Sequence, residues 1–468
     1  MYNASFVTFE GHKTKMEIFW DIFKQVCKIP HCSGHTMEMG TFIRRWAESY
    51  GYAVKSDKAG NIICYHDEAT LTLQSHYDML CLGETPNLEL IEKMGKLSAK
   101  ESTLGADSAV GVSLMLLAMK DKKPVDCLFT TDEEIGLIGV KALDLNIKTQ
   151  HVLNLNAQEG ETVYIACAGG VDLRGTLELQ RLLVEGAKYY ECSIDKLPGG
   201  HSGLDIDKNI PNANLEIVKL LNKSDIKLAD ISGGQARNTI SKSAKALFII
   251  EEGSHVPSQF KEAQNQEHVH YYADTQNILS ALVNMPHGVK KDNNIYNIPH
   301  YSVNFAQMKI EDNKLIVELS LRAMDGVGMI QLEEQTRSYL DNFGFKIREE
   351  NAYPAWIIEK SEFAQRLSFS VEEVEGFVEL KAVHAGLECA VLKRKAPKLE
   401  FASIGANITA SHTTRESVDM SSVERLKEIV YKFIDSEAAF VVEEAEAKKN
   451  KAYQGTREKG TKNQKKRR

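Results

Sequence analysis

The chain has 468 residues, a formal net charge of −8, 43% hydrophobic residues and 26% charged residues. This composition is typical of a globular protein and excludes wholesale disorder, while the length fits two or three domains. No apolar run approaches the roughly 18 residues that a membrane helix needs. Glu10, His12 and Lys13 lie where a secretory signal would be apolar. We therefore expect a soluble, cytoplasmic protein.

The eight cysteines are too few for a disulfide scaffold in a chain of this length. Most have apolar neighbours, as Cys64, Cys127 and Cys167 do. We expect them to be reduced core thiols of a cytosolic protein. The sequence has no C-x-x-C pair, which argues against a zinc site built from cysteines.

The carboxyl-terminal segment is strongly basic: from Lys448 to Arg468 it contains ten Lys or Arg and one acid, Glu458. The rest of the chain is therefore acidic, which argues against a nucleic-acid-binding body. Because the segment has few apolar residues to bury, residues 446–468 are predicted to form a basic, disordered tail. Its partner is unknown, and both a weak contact with a polyanion or protein and a solvated end without a role stay open.

The first part of the chain alternates between helix and strand patterns. Amphipathic helix patterns cover 16–28 and 37–50, and further helices are predicted near 108–119 and 140–145. Strand patterns cover 53–56, 61–66, 71–75, 125–130 and 151–156. This alternation indicates an α/β domain with a largely parallel sheet.

In the middle of the chain the predicted strands tend to follow one another. They cover 188–195, 244–251, 301–310 and 314–320, with helices at 212–222, 275–283 and 329–342. This order indicates an α+β unit on an antiparallel sheet. The chain then returns to α/β and ends in a helix at about 421–440. We therefore predict an α/β domain at 1–184 and 350–445, interrupted by an inserted α+β domain at 185–349.

His76 and Asp78 lie at the end of a predicted strand, where alternation places both side chains on one face. A carboxylate two residues from a histidine can orient its ring and raise its basicity as a metal ligand. The same spacing occurs at His66 and Glu68, as chance allows. A packed or surface histidine therefore remains the alternative for His76.

Asp107 lies where a glycine-containing loop enters an apolar helix. Its neighbourhood favours a helix N-cap, a position that Asp fills well. The functional alternative is a rigidly held carboxylate that bridges two cations.

Asp132, Glu133 and Glu134 follow a predicted buried strand directly. Three consecutive acids repel one another unless a cation or solvent separates them. Because adjacent side chains point in different directions, one glutamate can bind a metal while its neighbour addresses the bound water. A polar turn is the alternative.

His412 lies in a polar loop before the last helix. It completes four elements that each follow a predicted strand, at the edge where open α/β sheets place their sites. Two histidines, several acids and no cysteine suit a pair of zinc-like or manganese-like ions. A glutamate beside such a pair suits metal-assisted hydrolysis.

With these elements in this order, the sequence resembles the co-catalytic zinc exopeptidases of the carnosinase and aminoacylase superfamily. It is most similar to their bacterial aminoacyl-histidine dipeptidase (Xaa-His dipeptidase) branch, over about residues 24–440. Seven motifs in chain order carry the resemblance: CKIPHCSG (27–34), LQSHYDM (73–79), STLGAD (102–107), FTTDEEIG (129–136), CAGG (167–170), GGHSG (199–203) and HAGLEC (384–389).

The resemblance implies a zinc-exopeptidase-type catalytic domain with a mixed, mainly parallel sheet, interrupted by an inserted α+β domain that acts as lid and forms a homodimer. It implies two divalent metal ions, zinc with manganese or cobalt as alternatives. Asp107 would bridge them, with His76 on one ion and Glu134 and His412 on the other. Asp78 would orient His76, and Glu133 would be the general base.

The resemblance also implies residues that bind a small dipeptide. His201 and Asn238, on the inserted domain, would contact the scissile carbonyl or the terminal carboxylate. His384 and Glu388 would line the pocket from the catalytic domain.

One segment departs from the family pattern. The family supplies a terminal Asp ligand in a segment like Leu-Asn-x-Asp-Ser-Glu, and here Asn156 stands where that Asp belongs, with an extra residue before Glu159. A neutral amide is the poorer ligand, and Glu159 would replace it only if the loop is re-routed. A two-metal enzyme of lower affinity, a one-metal enzyme and a silent relative are all consistent with this change.

The leading hypothesis is a metal-dependent dipeptidase, for Xaa-His-like substrates. The alternatives are an N-acyl amino acid amidohydrolase of the same chemistry and a catalytically silent, dimeric binding protein.

Overall fold

A computed structural model describes residues 13–185, 187–250, 256–263, 269–357 and 360–465, with only the backbone for 444–465. The chain forms two compact units. The first contains the described residues of Met1–Ile165, Ile358–Lys381 and Val391–Arg468, and the second those of Ala166–Ile357 and Ala382–Ala390. No helix in the described ranges is long and apolar enough to cross a membrane.

The first unit is built on a mixed, eight-stranded sheet. Its strands, in spatial order, are Ala53–Ser56, Ile62–Tyr65, Val125–Thr130, Leu71–His76, His151–Ala157, Glu400–Gly405, Thr162–Cys167 and Glu379–Val383. The third to sixth strands in this order are parallel to one another. Leu71–His76 and Val125–Thr130 are buried along their whole lengths, as expected for strands covered on both faces.

Helices surround this sheet and supply much of its core. Within the described part of the first unit they are Lys15–Lys28, Met37–Ser49, Ala106–Lys120, Ile138–Lys141, Glu362–Glu375, Glu388–Lys395 (which begins in the second unit) and Met420–Lys465. Ala106–Lys120 is buried from Ala106 to Met119 and packs against the buried face of Lys15–Lys28. The predicted helix at 140–145 is shorter than expected and lies at Ile138–Lys141.

The first unit also contains a small four-stranded sheet. Its strands are Ile408–Thr409, Ser417–Asp419, Lys96–Ala99 and Leu90–Lys93. The first two pair with each other and enclose residues 410–416. This pairing fixes both ends of the loop that carries His412.

The last helix is longer than the sequence predicted. It runs from Met420 to Lys465, whereas we expected it to end near residue 440 and to be followed by a disordered tail at 446–468. The prediction of disorder is wrong for the backbone to Lys465, and residues 466–468 lie outside the described part. Residues 441–452 are rich in Ala, Glu and Lys, whose intrinsic helix propensity is high.

The second unit is built on a nine-stranded antiparallel sheet, which confirms the predicted α+β class. Eight strands run, in spatial order, Lys261–Glu262, Tyr189–Ile194, Ala244–Ile250, Ile226–Gly233, Ile298–Glu311, Lys314–Ala323, Gly169–Glu178 and Lys346–Tyr353, and Gly288–Asn293 pairs with Ile298–Glu311. The helices described in this unit are Ala213–Leu221, Thr275–Val283 and Gly326–Asn342. Two short ribbons pair Gly200–His201 with Thr239–Ile240 and Arg181–Val184 with Val269–Tyr272.

The inserted unit is larger than the predicted 185–349. It begins at Ala166 because the strand Gly169–Glu178 pairs with Lys314–Ala323 and Lys346–Tyr353, both of the second sheet. It also includes Ala382–Ala390, whereas the sequence predicts that these residues belong to the catalytic domain.

The expectation that the cysteines are reduced thiols is wrong for two of the eight. Cys32 and Cys81 form a disulfide, with their Cα atoms 5.5 Å apart, whereas the other six are free and buried. The two loops are already joined by backbone hydrogen bonds, from Met79 N to His31 O and from Ser33 N to Met79 O. This pairing of the loops brings the two sulfur atoms together.

Candidate metal centre

The predicted site residues of the first unit lie at one edge of its sheet. His76 ends the strand Leu71–His76, Glu133 and Glu134 follow Val125–Thr130, and Asn156 lies near the end of His151–Ala157. His412 lies in the loop after Glu400–Gly405. Because these four strands are parallel, their carboxyl ends meet at the same edge.

Asp107 lies at the start of the helix Ala106–Lys120, with non-helical backbone angles and a cis peptide bond to Ser108. The helix N-cap is Gly105, and no side chain caps it. The capping alternative for Asp107 is therefore wrong, because its carboxylate faces two histidines instead.

The Asp107 carboxylate lies between His76 and His412. Its Oδ1 is 3.2 Å from His76 Nε2, and its Oδ2 is 3.4 Å from His412 Nε2. His412 Nε2 is also 2.9 Å from Glu134 Oε2. The ligand atoms of Asp107, Glu134 and His412 lie within 4.8 Å of one another, as do those of His76, Glu133 and Glu134. The described residues thus contain two overlapping groups able to hold a metal ion.

Asp78 is buried behind His76 and is fixed from several sides. His76 Nδ1 is 3.0 Å from the Asp78 carbonyl oxygen and 3.4 Å from Asp78 Oδ1. The Asp78 carboxylate also accepts hydrogen bonds from the backbone N–H groups of Glu133 and Glu134 and from Ser33 Oγ. Asp78 therefore links the His76 ring to the turn that carries both glutamates.

The carboxylates of the cluster favour the protonated, positively charged form of the two histidines. Burial opposes charge on His412, but Glu134 and Asp107 outweigh it and raise the pKa of His412 to about 11. Burial likewise acts against His76, yet Asp107 and Asp78 raise the pKa of His76 well above its usual value. Both imidazoles hold the pKa of Asp107 far below its ordinary value, despite burial. Each imidazolium supplies positive charge that a bound cation would supply instead.

Two buried oxygen atoms in this region, Glu134 Oε1 and Asn156 Oδ1, have no hydrogen-bond partner. Buried polar atoms without partners are uncommon, and here both atoms are of a type that binds divalent metal ions. Together with the imidazole nitrogens of His76 and His412, this donor set fits a metal centre.

The segment after Asn156 differs from our expectation. Glu159 is half-exposed and accepts hydrogen bonds from Lys381 Nζ at 2.8 Å and Thr162 Oγ1 at 3.2 Å, so it is not re-routed into the site. Gln158, which the sequence analysis overlooked, donates a hydrogen bond of 2.9 Å to Asp107 Oδ2. Gln158, and not Glu159, is therefore the residue of this segment that contacts Asp107.

Sequence reasoning also missed Glu416. Its buried carboxylate accepts hydrogen bonds from the backbone N–H groups of Leu104, Gly105 and Asp107. It thereby holds the turn that presents Asp107. The available signal was a lone acid four residues after His412 in the same loop.

The predicted dipeptide-contacting residues lie in the second unit. In the ribbon of Gly200–His201 with Thr239–Ile240, His201 lies opposite Thr239. Ser202 N, in the next residue, donates to Asn238 O, so His201 and Asn238 belong to the same short ribbon. His201 Nδ1 accepts hydrogen bonds from the backbone N–H groups of Gly203 and Leu204.

His384 and Glu388 belong to the same unit as His201, contrary to the predicted placement in the catalytic domain. The physical reason is local pairing: Ala168 N donates to Val383 O, and His384 Nε2 lies 2.7 Å from Ser302 Oγ. Both predicted side chains are buried. Burial, followed by the positive charge of Arg322, lowers the pKa of His384 to about 3 and keeps it neutral.

Arg322 is a further residue that the sequence analysis missed. It is buried in the second unit and donates to Tyr353 Oη at 2.7 Å and Ser202 Oγ at 3.2 Å. Its Nε has no hydrogen-bond partner, and no carboxylate among the described residues pairs with it. The available signal was a lone Arg within an apolar strand pattern, Leu319 to Ala323.

The sheet edge, the two imidazoles and the surrounding carboxylates define a metal-dependent hydrolase site. Residues 72–436 match the profile of Peptidase family M20/M25/M40, and the chain belongs to this family. It is therefore a hydrolase that acts on peptide bonds, which confirms the superfamily indicated by the motifs.

The similarity to individual relatives covers most of the chain. It is 26% identical to the cytosol non-specific dipeptidase of Escherichia coli (strain K12), over 86% of this chain and 94% of that protein. The crystal structure of aminoacylhistidine dipeptidase from Vibrio alginolyticus has a TM-score of 0.67 at 24% identity, and covers 91% of this chain and 98% of that one. A tripeptidase structure from Staphylococcus aureus subsp. aureus Mu50 has a TM-score of 0.54 at 16% identity, over 91% and 99%. These structures support the fold.

Proposed function

We propose that this chain is a cytoplasmic, metal-dependent dipeptidase that hydrolyses the peptide bond of small dipeptides of the Xaa-His type. The observation that carries the proposal is the meeting of Asp107 with His76, His412 and Glu134, with Glu133 beside them. The names of the E. coli and V. alginolyticus relatives favour dipeptides as the substrate class.

In this proposal His76, Asp107, Glu134 and His412 hold two divalent metal ions, with Asn156 as the remaining ligand. Zinc is our choice because imidazole and carboxylate suit it, with manganese or cobalt as alternatives. When bound, the ions supply a polarised water and an electrophile for the carbonyl oxygen.

In this proposal Glu133 transfers the proton and Asp78 orients a metal-binding histidine. Glu133 takes a proton from the attacking water as its oxygen bonds to the carbonyl carbon. The C–N bond breaks, and Glu133 returns the proton to the leaving amine. Asp78 keeps the His76 ring oriented through Nδ1.

We assign binding of the dipeptide to residues of the second unit. A buried guanidinium without a carboxylate partner is costly, so we assign Arg322 to the terminal carboxylate of the substrate. His201 and Asn238 lie near Ser202, which bonds Arg322, and would contact the same carboxylate or the scissile carbonyl. His384 and Glu388 would line the pocket.

A homodimer through the second unit is part of the proposal. Val327 and Ile330 lie one turn apart on the helix Gly326–Asn342 and are 68% and 60% exposed. Such an apolar pair is suited to contact with a second copy. Light scattering of wild-type protein and of a Val327→Glu, Ile330→Glu variant tests this, because the variant should be monomeric.

The central test compares Glu133→Gln with Glu134→Gln, using Glu68→Gln, at an exposed position, as the control. Turnover of a panel of Xaa-His dipeptides, other dipeptides and N-acetyl amino acids is measured together with metal content per chain. Glu133→Gln should lose about 10²–10⁴-fold in turnover with metal retained. Glu134→Gln should lose metal as well.

Each other outcome overturns part of the proposal. Metal loss only in Glu133→Gln would mean that the two roles are reversed. Hydrolysis of N-acetyl amino acids without dipeptides would identify the amidohydrolase. No turnover by wild-type protein after zinc or manganese is added would identify the silent relative.

A further inference from the structure

The two sides of the Asp107 carboxylate differ in the charge that faces a cation. On the Oδ2 side, His412 and Glu134 provide one imidazole and a second carboxylate. On the Oδ1 side, His76 provides an imidazole at 3.2 Å. Glu133 and Glu134 also lie within reach of His76, but Glu134 contacts His412 at 2.9 Å and Glu133 is assigned as the base. The remaining residue on that side is Asn156, a neutral amide two residues beyond the pairing of Asn154 with Gln74.

The residues after Asn156 add no negative charge to that side. Glu159 accepts hydrogen bonds from Lys381 and Thr162 and is half-exposed. Gln158 carries no charge, and its Nε2 donates to Asp107 Oδ2 while its Oε1 accepts from Ser411 Oγ. The segment therefore presents two neutral amide side chains, Asn156 and Gln158, and its one carboxylate, Glu159, bonds Lys381 and Thr162 instead.

We infer that the two metal positions of the proposed centre are unequal. The position at Asp107, Glu134 and His412 binds a divalent ion tightly, and the position at His76 binds a weak, exchangeable ion. Asn156 Oδ1, buried and without a hydrogen-bond partner, is the neutral ligand of the weak position. The difference arises because a carboxylate attracts a cation through a full charge and an amide only through its dipole.

This inference deepens the proposed function and rests on its metal centre. It means that the protein retains one ion at metal concentrations too low to fill the second position. Occupancy of the weak position then follows the free metal concentration.

The test is a titration of metal-free protein with Co²⁺, followed by visible absorption and by calorimetry, with no substrate present. Wild-type protein should bind two ions in separate steps whose dissociation constants differ by at least about tenfold. Asn156→Asp should tighten the second step by about tenfold or more and leave the first unchanged. Asn87→Asp, at an exposed position, makes the same charge change and should alter neither step.

Two further variants assign the steps to the two positions. His76→Ala should remove the weak step alone, and His412→Ala should remove the tight step. Two equal steps in wild-type protein would overturn the inference while leaving the metal centre intact, and this result does not depend on any variant folding. An unchanged second step in folded Asn156→Asp would also overturn it. Absence of metal binding by wild-type protein would overturn both the inference and the proposed function.

Discussion

Glu416 offers a quantitative test of how the protein presents Asp107. Its Oε2 accepts hydrogen bonds from Leu104 N at 2.9 Å and Gly105 N at 3.0 Å, and its Oε1 accepts from Asp107 N at 3.4 Å. Glu416→Ala leaves these buried N–H groups without an acceptor. At about 1 kcal/mol for each lost partner, we expect the free energy of unfolding to fall by about 3 kcal/mol. The turn should also loosen and weaken metal binding.

Glu416→Gln should distinguish the two hydrogen bonds that Oε2 accepts from the one that Oε1 accepts. Its amide oxygen can keep the two bonds made by Oε2, whereas its NH₂ group opposes the N–H of Asp107. We therefore expect a loss of about 1 kcal/mol. Urea unfolding of metal-free protein at pH 6 measures both variants, because the carboxyl is then largely neutral in the folded state. Glu424→Gln, at an exposed position on the last helix, is the control.

Two results would refute this account of Glu416. One is an alanine variant as stable as the control. The other is an equal loss for the alanine and glutamine variants, since it would mean that the acceptor geometry is unimportant. Calorimetric titration with Zn²⁺ provides the second measurement, in which the alanine variant should bind metal more weakly than the glutamine variant.

Four further predictions address other parts of the molecule. Arg322→Gln should raise KM for dipeptides by at least about tenfold while changing kcat less, in steady-state assays; an unchanged KM would contradict its assignment to the carboxylate. In metal-free protein, burial raises the pKa of Glu416 from 4.5 to about 7, so the folded state binds the proton more tightly than the unfolded state. Stability should therefore fall as the pH rises between these values, and Glu416→Gln should flatten that slope in urea titrations. A Cys32→Ser, Cys81→Ser variant should lose about 4 kcal/mol in urea unfolding, because the disulfide closes a loop of 49 residues, and equal stability would show that the pair is reduced in wild-type protein. Deletion of Lys448–Arg468 should leave kcat/KM unchanged, and a large loss would mean that this segment contributes to the site.

Several features were predictable because their signals are local. The amphipathic pattern at 16–28 matches the helix Lys15–Lys28, and the apolar run at 125–130 matches a buried strand. His76, Glu133 and Glu134 could be identified because acids and histidines directly follow such strands. Parallel strand order then brings them to one edge.

Other features depend on contacts between distant parts of the chain. The strand Gly169–Glu178 begins with two glycines and alternates charged with apolar residues, so its place in the second sheet becomes evident only from its partners Lys314–Ala323 and Lys346–Tyr353. Glu416 is separated from Leu104 by 312 residues, and Gln158 from Asp107 by 51. No local pattern indicates such pairings.

The order of the strands has a consequence for how the protein is made. The strand Glu400–Gly405 pairs in parallel with His151–Ala157, and the whole inserted unit lies between them in the sequence. The ribosome therefore synthesises His76, Asp107 and Glu134 long before the strand that leads to His412. At usual elongation rates the interval between Glu134 and this strand is about ten seconds or more. A nascent chain that stops before residue 400 also lacks Glu416, which holds the Asp107 turn. If the proposed ion binds at Asp107, Glu134 and His412, only chains that extend past residue 416 have all the groups needed to retain it.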